Sequence, residues 1–345
     1  MHRTVLPLLM ALILALGTAG PAVALQDASP AAEGGLADVG MPQLSITVTE
    51  SGYEGIPEEV EAGRYLVILT ATEETEEGGG IAFVQPPDGM SGDEFVSAVF
   101  GGPDESGVGM ADGSPVVGME ASPEASPAAS PEASPQASPV DEGASGVPDF
   151  LFDATFAGGT YAPPGGSNQV VLDLTPGEWV AWADDPEAPQ EPVVFEVTGE
   201  MPAELPEPDA NATITMGEYI IEVSEGELVA GRNIVRIDNI GAQPHFIVAL
   251  HGPDDMTLEK IEVALQEEMD AGMSGSEPVY SDFNPNEDFS EEGSSFTGTQ
   301  SMNTSIWVEM DLEAGMYFLA CFFPDLSDGM PHAYHGMYNV VEVTG

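Results

Sequence analysis

The histidines and cysteine, the side chains with imidazole or thiol for a transition metal or a nucleophile, are few, and most of them fall together. The chain has five histidines and one cysteine. Apart from His2, at the very start, the histidines are His245, His251, His332 and His335, and the cysteine is Cys321. A single thiol rules out a disulfide scaffold, and in an exported chain it must be buried, paired with another chain or assigned to chemistry. Thiolate and thioether sulfur are soft donors that favour Cu(I), whereas imidazole suits both copper oxidation states. Other chemistries lack their signatures: there is no Gly-rich phosphate loop, zincin helix or nucleophile elbow, and Cys321 with His332 has no local pattern of a thiol hydrolase. Acidic pairs such as Asp325 and Asp328 could hold Ca²⁺. With 60 acidic residues such pairs arise by chance, and no loop carries the spacing of an EF-hand, so calcium is not expected.

A weak internal repeat supplies the elements that would position these residues. In the first copy, Leu44 to Val48 leads to Ala62-Gly63-Arg64 and an apolar strand from Tyr65 to Thr70. Ile81 to Val84 follows, then Pro86-Pro87-Asp88-Gly89-Met90 and a short helix opened by a capping box from Ser91 to Glu94, ahead of Phe95 and Val99. Gln169 to Leu174, Pro176-Gly177-Glu178-Trp179-Val180 and Val193 to Gly199 complete it. The second copy keeps the order. Ile214 and Tyr219 to Val223 lead to Ala230-Gly231-Arg232, Ile234 to Ile237 and His245 to Leu250. Gly252-Pro253-Asp254-Asp255-Met256 then precedes a helix from Thr257 with Leu258, Ile261, Leu265 and Met269 on one face. Ile306 to Leu312, Ala314-Gly315-Met316-Tyr317-Phe318 and Tyr338 to Gly345 close the chain. Short strands with turn signals and one helix per copy predict an all-β protein of two β-sandwich domains, 41–200 and 211–345, with no sheet common to both. Superposed by these landmarks, Gly79 falls near His245 and Ala183 on Cys321, so the first copy has no counterpart for either.

Between them, residues 102–148 read Ala-Ser-Pro-Glu and its near-copies, a low-complexity insert expected to be disordered because it has too little apolar area to offset the entropy of ordering. At the start, His2 and Arg3, the apolar run Val5 to Leu16 and Ala22-Val23-Ala24 predict a signal peptide over 1–24 and a secreted, extracytoplasmic protein. No later apolar run is long enough for membrane insertion. A formal net charge of -55, from Lys+Arg 5 against Asp+Glu 60, excludes nucleic acid and anionic membranes as partners, since both require clustered cations. The same acidity keeps a surface hydrated in strong salt or nearly neutral in an acidic medium, and describes the setting more than the task.

The stretch Asn239-Ile240-Gly241-Ala242-Gln243-Pro244-His245-Phe246-Ile247-Val248 resembles the first histidine motif of the cupredoxins, the plastocyanin-like blue copper proteins with Greek-key β-sandwich domains. Leu312 to Cys321, followed by His332-Ala333-Tyr334-His335-Gly336-Met337 and the strand from Tyr338 to Val343, resembles their closing loop. The likeness covers residues 211–345, and the first copy resembles the fold without the site. It implies one copper ion in the C-terminal domain, held by His245, Cys321 and His332 in a plane with Met337 as a weak axial donor. Such a site needs little rearrangement when an electron moves. His332 is preferred to His335 because four residues separate it from Met337, the family's usual spacing. His251, at the far end of a strand, lies too distant to share the centre.

One departure stands out: ten residues, 322–331, separate Cys321 from His332, where the family has two to four. Either that loop folds back and delivers His332, or Cys321 is a buried apolar filler in a vestigial site. The leading expectation is a secreted, non-enzymatic protein that carries electrons to a redox partner protein or holds copper. The alternative is a metal-free extracellular interaction or surface protein, and a third reading is copper trafficking through an open site. The His-x-His pairs of a multicopper oxidase are missing. Oligomeric state is not legible.

Overall fold

The computed structural model describes residues 35–36, 40–75, 78–100, 148–183 and 190–345, so the expected signal peptide over 1–24 and all but the last residue of the low-complexity insert lie outside it. The first half contributes β1 Gln43–Thr49, β2 Gly52–Glu54, β3 Glu59–Glu61, β4 Gly63–Ala71, β5 Gly79–Gln85, β6 Thr155–Ala162, β7 Ser167–Leu174, β8 Gly177–Trp182 and β9 Val193–Thr198. The second contributes β10 Ala212–Gly217, β11 Ile220–Gly226, β12 Gly231–Asn239, β13 Val248–Gly252, β14 Ser290–Phe296, β15 Thr304–Leu312, β16 Gly315–Ala320 and β17 Tyr338–Val343.

Strand order runs alike in the two halves. One layer of the first half runs β2-β1-β4-β7 and the matching layer of the second runs β11-β10-β12-β15. The opposing layers run β6-β5-β8-β9 and β14-β13-β16-β17, the first with β3 added beside β9. Even the unusual connections recur, because β1 lies parallel to β4 and β10 parallel to β12. Alternation explains the layering. Leu44, Ile46 and Val48 of β1 point inward, as do Asn233, Val235, Ile237 and Asn239 of β12, so each strand buries one face against the opposite sheet.

The expectation that no sheet would run through both halves is corrected. β7 and β15 pair antiparallel, Trp307 with Val171 and Val308 with Val170, which joins the two inner layers into one eight-stranded sheet. Both are the last strands of their own four, and an edge strand leaves unpaired backbone groups that a second edge can satisfy. The seam extends beyond the strands. Ser301 N donates to the Phe156 carbonyl at 2.9 Å, and Phe156 N donates to Ser301 Oγ at 2.9 Å. The Arg64 guanidinium, paired with Asp173 through Nε and Nη2, sits 4.5 Å over the Trp307 ring from the other half.

Each half covers its outer sheet with one helix. In the first, α1 Gly92–Phe100 is capped as the Ser91 to Glu94 spacing predicts: Glu94 N donates to Ser91 Oγ at 3.2 Å and Ser91 N to Glu94 Oε2 at 2.9 Å. Its Phe95 and Val99 pack on Ala82, Val84, Val180 and Trp182. A single turn, α2 Phe150–Asp153, lies beside it. In the second, α3 Leu258–Ser274 starts at Thr257, whose hydroxyl accepts from Lys260 N, and packs Ile261, Ala264 and Leu265 on Val248, Leu250 and Phe318. Leu258 is exposed, contrary to the predicted face, and the buried stripe instead includes Glu268. The Glu268 carboxylate accepts hydrogen bonds from Tyr280 at 2.6 Å and Tyr334 at 3.0 Å. A final turn, α4 Pro285–Asp288, precedes β14. Among the described residues no helix is long and apolar enough to cross a membrane.

Candidate metal centre

His245 reaches the centre on the segment between β12 and β13, which Asn239 holds from beneath. This buried amide donates to the carbonyls of Gln243 at 3.0 Å and Gln300 at 2.8 Å and accepts from Gly241 N at 2.9 Å. His245 and Gln300 then exchange backbone hydrogen bonds of 3.0 and 2.8 Å, which fixes the histidine's Cα. Gly241 is where the segment comes closest to the ring: a Cβ there would lie 2.7 Å from His245 Nε2, so any side chain would push the imidazole.

Cys321 follows β16 directly, and its carbonyl accepts from Ala333 N at 2.7 Å while its N–H donates to the Met337 carbonyl at 3.2 Å. The ten-residue loop does fold back. Pro324 and Pro331 form an isolated β-bridge, Asp325 N donates to the Met330 carbonyl at 2.8 Å, and His332 N donates to the Phe323 carbonyl at 2.9 Å. A 3₁₀ turn, His332–His335, starts there and ends at Gly336, whose φ of 95° lies in the left-handed region that glycine adopts freely.

These backbone constraints bring three donors together. His245 Nδ1 and His332 Nδ1 are 3.0 Å apart, and Cys321 Sγ lies 3.7 Å from the first and 3.6 Å from the second. All three side chains are fully buried. A single ion bonded at about 2.0 to 2.1 Å to nitrogen and about 2.3 Å to sulfur spans donor pairs roughly 3 to 4 Å apart, so the three fit one soft or borderline metal. Met337 is fully buried and its N–H donates to the His332 carbonyl at 3.0 Å, which ties its backbone to the same turn. His335 is set apart, partly exposed with Nε2 3.2 Å from Asp328 Oδ1, and with Asp325 and Asp328 it forms a second, more open group of donors. His251, next to last in β13, stacks on Tyr317 at 5.0 Å.

Burial governs the protonation of the metal-free centre. It pushes the Cys321 thiol up to about 12 and the His245 imidazole down to about 3, the latter helped by the neighbouring His332. His332 falls to about 4 for the same reason, although Asp325 opposes the shift. Near neutral pH the centre is therefore a thiol between two neutral imidazoles. The distal nitrogens face carboxylates: His245 Nε2 is 4.0 Å from Glu218 and His332 Nε2 is 3.6 Å from Asp325. Neither nitrogen has a hydrogen-bond partner. Burial raises the Asp325 carboxyl, yet hydrogen bonds from Ser327, Gln243 and Tyr219 outweigh it and hold the group well below the usual carboxylate range.

The first half pairs its corresponding strands in the same way but carries other residues at these places. Val248 pairs with Ala320 and Leu250 with Phe318, as Ala82 pairs with Trp182 and Val84 with Val180. Continuing along the strands, His245 falls on Gly79 and Cys321 on Ala183, as the sequence landmarks imply. A Cβ at Gly79 would meet Val48 Cγ1 at 2.4 Å, so the first half has no room for a side chain where the second carries a histidine. Residue types alone did not reveal Asn239, Gly241, Gln300 and Glu218 as supports; only the first two lie within the stretch that carries the family resemblance.

No protein-family model and no curated protein matches the sequence. Among solved structures the chain is similar to dithionite-reduced auracyanin from Roseiflexus castenholzii, at 20% identity over 39% of this chain and 95% of that one, with a TM-score of 0.23. It is also similar to auracyanin A, a "blue" copper protein from Chloroflexus aurantiacus, at 20% identity over 38% and 98% with a TM-score of 0.22. Copper nitrite reductase from Nitrosomonas europaea matches 88% of this chain and 94% of its own at 10% identity and a TM-score of 0.20. The paired four-stranded layers and the meeting of an early histidine with a late cysteine and histidine make the fold cupredoxin-like.

Proposed function

We propose that the second half of the chain binds one copper ion through His245, Cys321 and His332, with Met337 as a weak axial donor, and that the protein carries electrons or holds copper outside the cell. On this reading it is not an enzyme, a redox protein is its partner, and 41–200 and 211–345 are two units of one repeat, the first without metal. The observation that carries the proposal is the convergence of both Nδ1 atoms on the Cys321 sulfur in a wholly buried setting. Copper, when bound, supplies a one-electron Cu(I)/Cu(II) couple. The chain's own part is to exclude water, to present two imidazoles and one sulfur from backbone held by hydrogen bonds, and so to keep the donors in place as the charge changes. Thiolate donation requires the buried proton on Cys321 to leave.

The test is metal analysis with a visible spectrum of the mature chain loaded with Cu(II). One copper per chain and an intense visible band, both absent or strongly reduced in Cys321→Ser, support the proposal. A protein that takes up no copper is better read as a metal-free interaction module whose imidazoles bond to each other across 3.0 Å.

A further inference from the structure

We infer that Asp325, carried by the long loop between Cys321 and His332, is a positioning residue of the centre: its carboxylate orients the His332 imidazole so that the proton sits on Nε2 and Nδ1 is left free for metal. The inference deepens the copper reading above and rests on it for its purpose, though not for its first test.

Asp325 is almost completely buried, and three segments hold it. Oδ2 accepts from Tyr219 Oη at 2.7 Å and from Gln243 Nε2 at 2.9 Å, while Oδ1 accepts from Ser327 N at 2.8 Å and from the Ser327 hydroxyl. Gln243 belongs to the His245 segment and also accepts from Leu326 N at 2.8 Å, so one amide clamps the two ligand loops together. Tyr219, in the left-handed region at φ 59°, turns its ring edge-on to His332 at 5.9 Å. So held, Oδ2 lies 3.6 Å from His332 Nε2, a buried nitrogen with no other partner.

At that separation the contact is electrostatic and not a hydrogen bond. It still chooses between the two neutral tautomers. With the proton on Nδ1, the Nε2 lone pair would face a carboxylate in dry surroundings, whereas with the proton on Nε2 the N–H dipole points at it. The 3.0 Å contact between the two Nδ1 atoms then takes its proton from His245, whose own carboxylate neighbour, Glu218, is farther from Nε2 at 4.0 Å and exposed to solvent. Partners that fix a ligand's tautomer and ring orientation in this way commonly change metal affinity 10- to 100-fold when removed. The extra length of the loop thus has a use: a short connection would bring no carboxylate to this nitrogen.

Two measurements on the full-length mature chain test this. In the metal-free protein, ¹⁵N shifts of the His332 ring should show Nε2–H favoured by about tenfold or more, and Asp325→Asn should move the ratio toward Nδ1–H. Cu(II) and Co(II) affinities of Asp325→Asn should fall about 10- to 100-fold. Ser327→Ala, which loosens the loop but keeps the carboxylate, should leave the tautomer as it is and change affinity less. A native ring with its proton on Nδ1 overturns the inference without any variant, as does an equal loss of affinity in both variants with no change of tautomer, which would make Asp325 a loop fastening. A native chain that binds neither metal overturns the copper reading instead, and the tautomer still decides the role of Asp325.

Discussion

Loading the metal-free protein with one Cu(II) or Co(II) should release close to one proton at every pH from about 5.5 to about 10, and this plateau is set by burial. The Cys321 thiol, pushed up to about 12, is only about 1% ionised even at pH 10, so a metal that binds thiolate must displace its proton throughout the range. The imidazoles, lowered to about 3 and about 4, are neutral down to pH 5.5 and contribute nothing. Ordinary groups would behave differently. With a thiol near 8.5 and histidines near 6.5, the count would be close to three at pH 5.5 and near zero at pH 10. Removing the proton from the buried thiol costs roughly 4 to 5 kcal/mol more than from an exposed one, which the metal–sulfur bond must exceed. Titration calorimetry in buffers of different ionisation enthalpy gives the proton count directly, and log K should rise by one per pH unit across the plateau. Release of two or more protons at pH 5.5, or almost none at pH 10, would refute the buried, neutral centre.

Four further outcomes follow from particular contacts. Met337→Leu should leave the visible Cu(II) band largely in place and chiefly shift the midpoint potential, read by voltammetry, because an axial thioether bond is weak. Gly241→Ala should weaken metal binding, since its Cβ would lie 2.7 Å from His245 Nε2, while the melting temperature moves little. Burial raises the Glu268 carboxyl, so its stabilisation is present below its unfolded value and is lost as pH rises through the folded one; Glu268→Gln should therefore raise the urea midpoint at pH 7 and make no difference near pH 4. Trp307→Ala should cost about 3 to 5 kcal/mol in denaturant unfolding, because the indole is fully buried at the joint of the two halves and carries Arg64 on its face.

Much of this protein was legible before folding. The like order of strands in the two halves could be read because strand lengths, Pro-Asp turns and Ala-Gly corners are local features, and the pairs Val248–Ala320 and Ala82–Trp182 correspond as those landmarks imply. The capping box at Ser91 and Glu94 was legible for the same reason, since it spans one turn of chain. Residue type also marked the second half as the one whose histidines and cysteine could meet, and His245, Cys321 and His332 do meet. What the tertiary structure decided is relational. Whether ten residues separate Cys321 from His332 or reunite them depends on the Pro324 to Pro331 bridge and the Asp325 to Met330 hydrogen bond, pairings that no period or propensity encodes. The fusion of the two halves through β7 and β15 escaped the sequence because an edge strand reads like any other until its neighbour is known. Ile261 and Leu265 meet the sheet as their spacing predicts, but Leu258, in the helix's first turn, is exposed and Glu268 is buried, because an apolar stripe says which residues share a face and only packing says how far along the helix the cover extends. Composition named the donors; where each imidazole is held was set by the Asn239 side chain and by backbone hydrogen bonds to Gln300 and Phe323, contacts that exist only in the fold.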